Sequence, residues 1–263
     1  MKPRIAFWLG LWTWIFLAAT PSLLHAQNKM SPPAAASTQD GQKDAQNFAQ
    51  DLEFARFIAL IRGHLLTGDE LAGQREWDLA SRHFGYPREE IYGVIREQLR
   101  AYKTPAFDGD LKALVRAAKS RNAKQYAKVR AKVEAALDAA DAELKSRQPN
   151  WHRFTMAVAM QVLKSAPDEF DDAVGTDRNS GLIVHPIGYQ TARGFILQAD
   201  RMVESVAGDF AGNNAAALAD MRAGFAQLKQ AFANVNAPKQ PPIGYPAMLE
   251  IVARIEGAAG KLK

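Results

Sequence analysis

The chain has no cysteine among its 263 residues, and that absence removes several classes of function at once. Disulfides, thiolate metal sites, lipidation at a lipobox and covalently attached haem all need a thiol. In an oxidising compartment the fold then rests on its core alone. Histidine is also scarce, with five in the whole sequence, and none stands in the H-E-x-x-H spacing of a zinc protease. G-x-S-x-G, G-x-G-x-x-G and the phosphate loop are missing too, so serine-nucleophile hydrolysis and nucleotide cofactors find no support. Ser81 stands beside Arg82 and His83, but no strained strand-to-helix turn surrounds it. The charge excess is small: 33 Lys and Arg against 28 Asp and Glu. No block combines clustered basic residues with interleaved aromatics, which excludes a nucleic-acid partner. Beyond residue 26 no apolar run has the length needed to cross a membrane.

What is present begins with compartment. Lys2 and Arg4 precede the apolar run "IAFWLGLWTWIFLAA", and "LLHA" ends on a small residue, so residues 1–26 read as a signal peptide cleaved after Ala26. The expectation is a periplasmic protein with no stable membrane insertion once the signal is removed. Residues 27–45, rich in Pro, Ala, Ser and Gln and without periodicity, read as a flexible leader, with order starting near Gln46.

The rest is helical in pattern. Phe54, Phe57, Ile58, Ile61 and Leu65 recur at three- and four-residue steps, gathering apolar side chains on one stripe. A short helical piece carries Trp77, Ala80 and Phe84. "GYP" then breaks the chain, and Pro87 opens a third helix running to about Lys103 with Glu89 and Glu90 in its first turn. A short helix around Leu111–Val115 and a long one from Tyr126 to Leu144 follow. "WHRFTMAVAMQVLKSA" is apolar nearly all round, the mark of a central helix. Further helices are expected at about 187–206, 214–235 and 246–262, and only "GLIV" could be a strand. The fold class is all-α: an antiparallel helical bundle, or two packed four-helix-like halves, with an N-terminal half at 46–148 and a C-terminal half at 149–263.

The residues able to bind something are few. Past Ala26 the histidines are His64, His83, His152 and His185. His64 borders the buried stripe, and Asp69 and Glu70 point away from it unless the helix breaks at Gly68. His83 lies just before the "GYP" corner and Glu89 and Glu90 just after it, so the corner could fold imidazole against carboxylate. Mixed His and carboxylate ligands suit iron, zinc or manganese. The candidate metal site is therefore His64, His83, Glu89 and Glu90. The same histidine and glutamates also have a plain reading as helix-terminus residues favoured by the dipole.

Three other groupings compete. His152, Met156 and Met160 stand at i, i+4 and i+8, a soft set that would suit Cu(I). Asp168, Glu169, Asp171 and Asp172 follow Pro167 and read as the acidic first turn of a helix. Arg193 is spaced to pair with Asp200 or Glu204 as an interhelical clamp. A noncovalent haem held by His and Met in a four-helix bundle is chemically open as well.

The closing pattern "ALADMRAGFAQLKQAFANVNAPKQPPIGYPAMLEIVARIEGAAGKL", with "GHLLTGDEL" and "HFGYPREEIY", gives residues 46–262 a resemblance to the periplasmic imelysin-like proteins, the group that includes EfeO-type iron-uptake components. That family's hallmark is Gly-x-His-x-x-Glu. Here Gly63-His64 is followed by Leu65, Leu66 and Thr67, so the glutamate is missing and His64 alone carries over. The resemblance implies iron foremost as the bound metal; copper and zinc are candidates from the ligand types alone. It also implies service in metal uptake or homeostasis beside an inner-membrane permease or another envelope protein. Some imelysin-like proteins are peptidases, but no residues here point to proteolysis. The rival class is a non-enzymatic module of the cell envelope that binds a partner through a helical groove, without metal.

Overall fold

A computed structural model describes residues 36–175, 182–210, 212, 214–241 and 243–262. The expected signal peptide and the leader up to residue 35 lie outside the described residues. The chain divides into two compact units, Met1–Gln42 and Lys43–Lys263. No strand occurs among the described residues, and no helix there is long and apolar enough to cross a membrane.

The first helix, α1 (Ala36–Gly73), starts ten residues before the expected onset of order and does not break at Gly68. Its stripe is buried as the spacing demands, with Phe54, Ile58, Ile61 and Leu65 at 1% exposure or less. Arg75, with φ 66°, turns the chain out of it in the left-handed region.

The next segment corrects the sequence reading. Helix α2 (Trp77–Tyr86) does not stop at "GYP": Tyr86 and Pro87 keep helical backbone angles, and the chain runs on through a π-helical stretch, Pro87–Tyr92, into α3 (Gly93–Ile95). Proline lacks an N–H and its ring crowds the preceding turn. A π stretch widens the turn, so the chain passes Pro87 without ending. Glu89 and Glu90 are therefore in the interior of a continuous helical rod, not in a first turn.

Helices α4 (Asp108–Lys119) and α5 (Ala123–Arg147) follow, the second capped by Asn122, whose side chain accepts from the Gln125 N–H. Arg62 on α1 reaches Glu134, Asp138 and Asp141 on α5, three carboxylates that share one face because they are four and three residues apart. Helix α6 (Trp151–Val174) is buried on most sides and packs along α7 (Pro186–Val206), which places it centrally as its composition requires. A 3₁₀ turn (Ala207–Phe210), α8 (Ala215–Ala231) and α9 (Tyr245–Ala259) complete the body, with α8 packed on α9. Buried residues from Phe54 to Ala258 form one contiguous core.

Helix α6 brings a second correction. Pro167 is buried inside it and does not start a new helix. Asp168, Glu169, Asp171 and Asp172 thus occupy its last two turns, the negative end of the helix dipole. There a carboxylate is disfavoured, where at an N-terminus it would have been stabilised.

Candidate functional site

Small residues set the spacing of the helices around His64. Gly63 and Gly194 bring α1 and α7 into backbone contact: a Cβ on Gly194 would collide with the Gly63 carbonyl oxygen and the Thr67 hydroxyl. At Gly63 an added Cβ would meet Phe195 Cδ1 at 2.6 Å. Gly68 likewise admits the Phe84 ring, which draws α2 against α1. These approaches enclose a polar layer in an otherwise apolar core. The Thr67 hydroxyl donates to the Gln190 carbonyl at 3.1 Å, and Gln190 Oε1 faces His83 Nε2 at 3.0 Å. Because that oxygen can only accept, Nε2 of His83 carries the proton and Nδ1 keeps its lone pair.

His64 and His83 are brought together. Their ring centroids are 5.9 Å apart and both side chains are buried, at 4% and 0% exposure. Nδ1 of each is buried with no hydrogen-bond partner. Burial pushes His64 down to about 3, with His83 adding to the shift, and holds His83 down at about 4 despite its bond to Gln190. Both are neutral imidazoles in the physiological range. The Tyr86 ring stacks on His64 at 5.6 Å and lies 6.3 Å from His83.

The carboxylates fall into two groups. Asp69 and Glu70 are taken by other partners, as the unbroken helix requires. Asp69 accepts from the Tyr126 hydroxyl at 2.6 Å and from Arg130, while Glu70 binds the buried Arg193 at 2.5 and 3.1 Å. The clamp expected between Arg193 and Asp200 or Glu204 is thus made with Glu70 instead; Asp200 pairs with Lys229 and Glu204 with Arg222.

Glu90 and Glu169 behave differently. Both are partly buried, and neither has an ion-pair or hydrogen-bond partner among the described residues. Glu169 is pushed up to about 8 by burial first, then by repulsion from Glu90, Asp172 and Asp168. Burial, Glu89 and Asp172 raise Glu90 in the same way. The Tyr86 phenol is raised by burial and by Glu90, Glu169 and Glu89, with Arg82 opposing. Gly188 on α7 sits against the backbone of α6 at Glu169 and Ala173, which fixes where the Glu169 side chain starts.

Of the four expected site residues, the structure brings His64 and His83 together, with the Tyr86 ring against both. Glu89 is exposed. The expected corner is absent: the chain runs from His83 through Pro87 to Glu90 as one continuous rod. Among the described residues no three His, Asp or Glu side chains are placed to hold a metal ion. Nothing in the sequence singles out Gln190, which lies 107 residues from His83, whereas Tyr86, three residues after His83, is within reach of a spacing argument. Glu169 stands in the sequence only as one of four acidic residues after Pro167, the expected first turn of a helix.

The other histidine grouping has a packing role. Met156 and Met160 are buried and line a groove of about 540 Å³ with Arg153, Lys164 and Phe210. The His152 ring meets Phe210 edge-on at 5.0 Å.

Comparison with known families adds one finding. Residues 146–261, less than half of the chain, match the model of the iron permease-associated 4-helix bundle domain. The match covers α6 to α9, including Glu169, Gln190 and Arg193, and leaves His64, His83 and Tyr86 outside it. No curated protein and no solved structure matches the chain.

Proposed function

We propose that the protein is a periplasmic, non-enzymatic helical component of iron uptake that binds a metal ion, iron foremost, for an inner-membrane iron permease. The observation that carries the reading is the match of residues 146–261 to an iron permease-associated bundle. The polar layer at the junction between that bundle and the N-terminal helices supports it. His64 and His83 present neutral imidazoles with free nitrogens, and Glu90, with Glu89 beside it, brings carboxylate along the same rod. Neutral imidazole and carboxylate together suit iron, copper or zinc, with oxygen ligands favouring the harder ions. The residues would hold the ion as cargo, since no nucleophile or general-base pair accompanies them.

The test is a titration of the purified, signal-free protein with Fe(III), Zn(II) and Cu(I), next to a His64→Gln/His83→Gln double variant of matched helicity. Binding at micromolar concentration or tighter, lost in the double variant, supports the reading. Wild-type protein with no affinity for any of the three ions overturns it. Metal-free protein that still captures the permease from envelope extracts would point to the partner-binding module instead.

A further inference from the structure

Residues of α1, α5, α6 and α7 line a cavity of about 130 Å³ that includes none of the residues of the His64–His83 layer. Ile58, Leu144 and Phe154 give it an apolar wall, and two polar groups in that wall have nothing to bind. Gln198 on α7 is 8% exposed and lines the cavity, and its amide forms no hydrogen bond with a described residue. Thr155 on α6 lines it as well, and its Oγ1 is buried without a partner. Buried amides and hydroxyls are nearly always hydrogen-bonded, so two such groups on one cavity point to an occupant. There is room for roughly four to six non-hydrogen atoms. The charge at the mouth says of what kind. Asp141 on α5 also lines the cavity, and its side chain is 44% exposed, so it stands nearer to solvent than Gln198. Arg62, on the same wall, is shared among Glu134, Asp138 and Asp141 at 3.0, 2.7 and 3.1 Å, and Glu134 also takes Arg130, which holds Asp69. Two guanidiniums thus serve four carboxylates. Water would satisfy Gln198 and Thr155 but would leave that negative excess in place, whereas a cation offsets it.

We propose that this cavity binds a small amino alcohol, its ammonium on Asp141 at the mouth and its hydroxyl on the Gln198 amide inside. An ammonium only donates hydrogen bonds and a carboxylate only accepts them, so the charged end is matched to Asp141. A carboxamide accepts through its oxygen and donates through its nitrogen, which satisfies both halves of a hydroxyl. Thr155 offers the same hydroxyl a second partner, and the short carbon chain between the two ends meets Ile58, Leu144 and Phe154. The orientation separates a free amino alcohol from a phospholipid headgroup of the same chemistry. In a headgroup the oxygen is esterified, so it has no proton for Gln198, and its phosphate would have to enter past a carboxylate cluster. The cavity draws Gln198 and Thr155 from the stretch that matches the permease-associated family and Asp141 from outside it. No metal ion takes part, so the outcome leaves the iron-uptake reading untouched.

The tryptophans beyond residue 26 are Trp77 and Trp151, and Trp151 lines the cavity. A signal-free Trp77→Phe protein therefore reports on the cavity through the fluorescence of Trp151. It is titrated at neutral pH with ethanolamine, with ethylene glycol, which keeps the hydroxyl and lacks the charge, and with O-phosphoethanolamine, whose oxygen is esterified. Calorimetry on the signal-free chain with both tryptophans repeats the series. The expected result is saturable ethanolamine binding at millimolar concentration or tighter, with the other two compounds at least tenfold weaker. Ethanolamine should also bind at least tenfold more weakly to Gln198→Leu and to Asp141→Asn proteins of matched helicity. No saturable response to ethanolamine overturns the proposal, as does a response that Gln198→Leu leaves unchanged. Ethylene glycol binding as tightly as ethanolamine overturns the assignment of a cation, and O-phosphoethanolamine doing so overturns the free alcohol.

Discussion

Gly194 on α7 lies so close to Gly63 on α1 that a single methyl group on Gly194 would overlap the Gly63 carbonyl and the Thr67 hydroxyl. The obstacle on the Gly63 side is backbone, which cannot rotate away. Gly194→Ala must therefore push the two helices apart, and overpacking of this kind costs about 1–3 kcal/mol. Urea denaturation should show that loss. Because the same crossing holds His64 beside His83, the variant should also lose metal affinity while keeping its helical circular dichroism.

Glu169 makes the stability of the metal-free protein depend on pH. Its folded value of about 8 lies above the ordinary 4.5, so its contribution is fully present below about pH 4.5 and is lost as pH rises through 8. Glu90, Asp172 and Asp168 are the charges that oppose its ionisation. Glu169→Gln removes this limb. The variant should unfold at higher urea than wild type at pH 8.5 and differ little from it at pH 4.5. Equal differences at both pH values would mean that Glu169 is not held protonated.

The two buried histidines act in the opposite direction. Their folded values, about 3 for His64 and about 4 for His83, lie below the ordinary 6.5. Their neutral forms support the fold fully above pH 6.5, and that support is lost as pH falls from 6.5 towards those values. His83→Gln should flatten the fall in urea midpoint between pH 6.5 and 4.5, at the expense of a lower midpoint at neutral pH. A slope identical to wild type would show that His83 titrates normally.

The helices themselves are legible in the sequence because their signal is local. The stripe from Phe54 to Leu65 and the long run from Tyr126 to Leu144 each contain the 3.6-residue period within their own sequence, and both are buried as that period requires. The two prolines mislead for a shared reason. Pro87 and Pro167 each look like a first helical position, yet the first is passed by a π stretch and the second is buried within α6. Whether a helix ends at proline is decided by what packs around it, which no local pattern contains. His64 and His83 stand out as candidates because the chain beyond residue 26 has so few histidines. Gln190 and Glu169 do not, because their relevance depends on α7 and the end of α6 lying against α1 and α2. Glycines at positions 63, 68, 188 and 194 set that arrangement.

Arg193 and Glu70 show the same limit across 123 residues of chain, and they can be tested directly. Arg193 is buried, donates from Nε to the Phe232 carbonyl at 2.8 Å and binds both oxygens of Glu70. One guanidinium therefore fastens α7 to α1 and to the end of α8. Glu70→Gln keeps the shape and removes the countercharge, leaving a buried cation with only a carbonyl to face. Breaking a buried pair in this way costs about 3–5 kcal/mol. Glu70 is about a third exposed, with a side-chain exposure of 34%, so water offsets part of that and the expected loss is nearer ~2 kcal/mol. Arg193→Met removes the cation and leaves a carboxylate that can still reach solvent. It should cost less than Glu70→Gln if an uncompensated buried charge does more harm than the loss of the bonds that charge makes. Urea midpoints of the two variants decide the order. A larger loss in Arg193→Met would mean that the bonds to Glu70 and Phe232, and not the burial of charge, account for the stability of this junction.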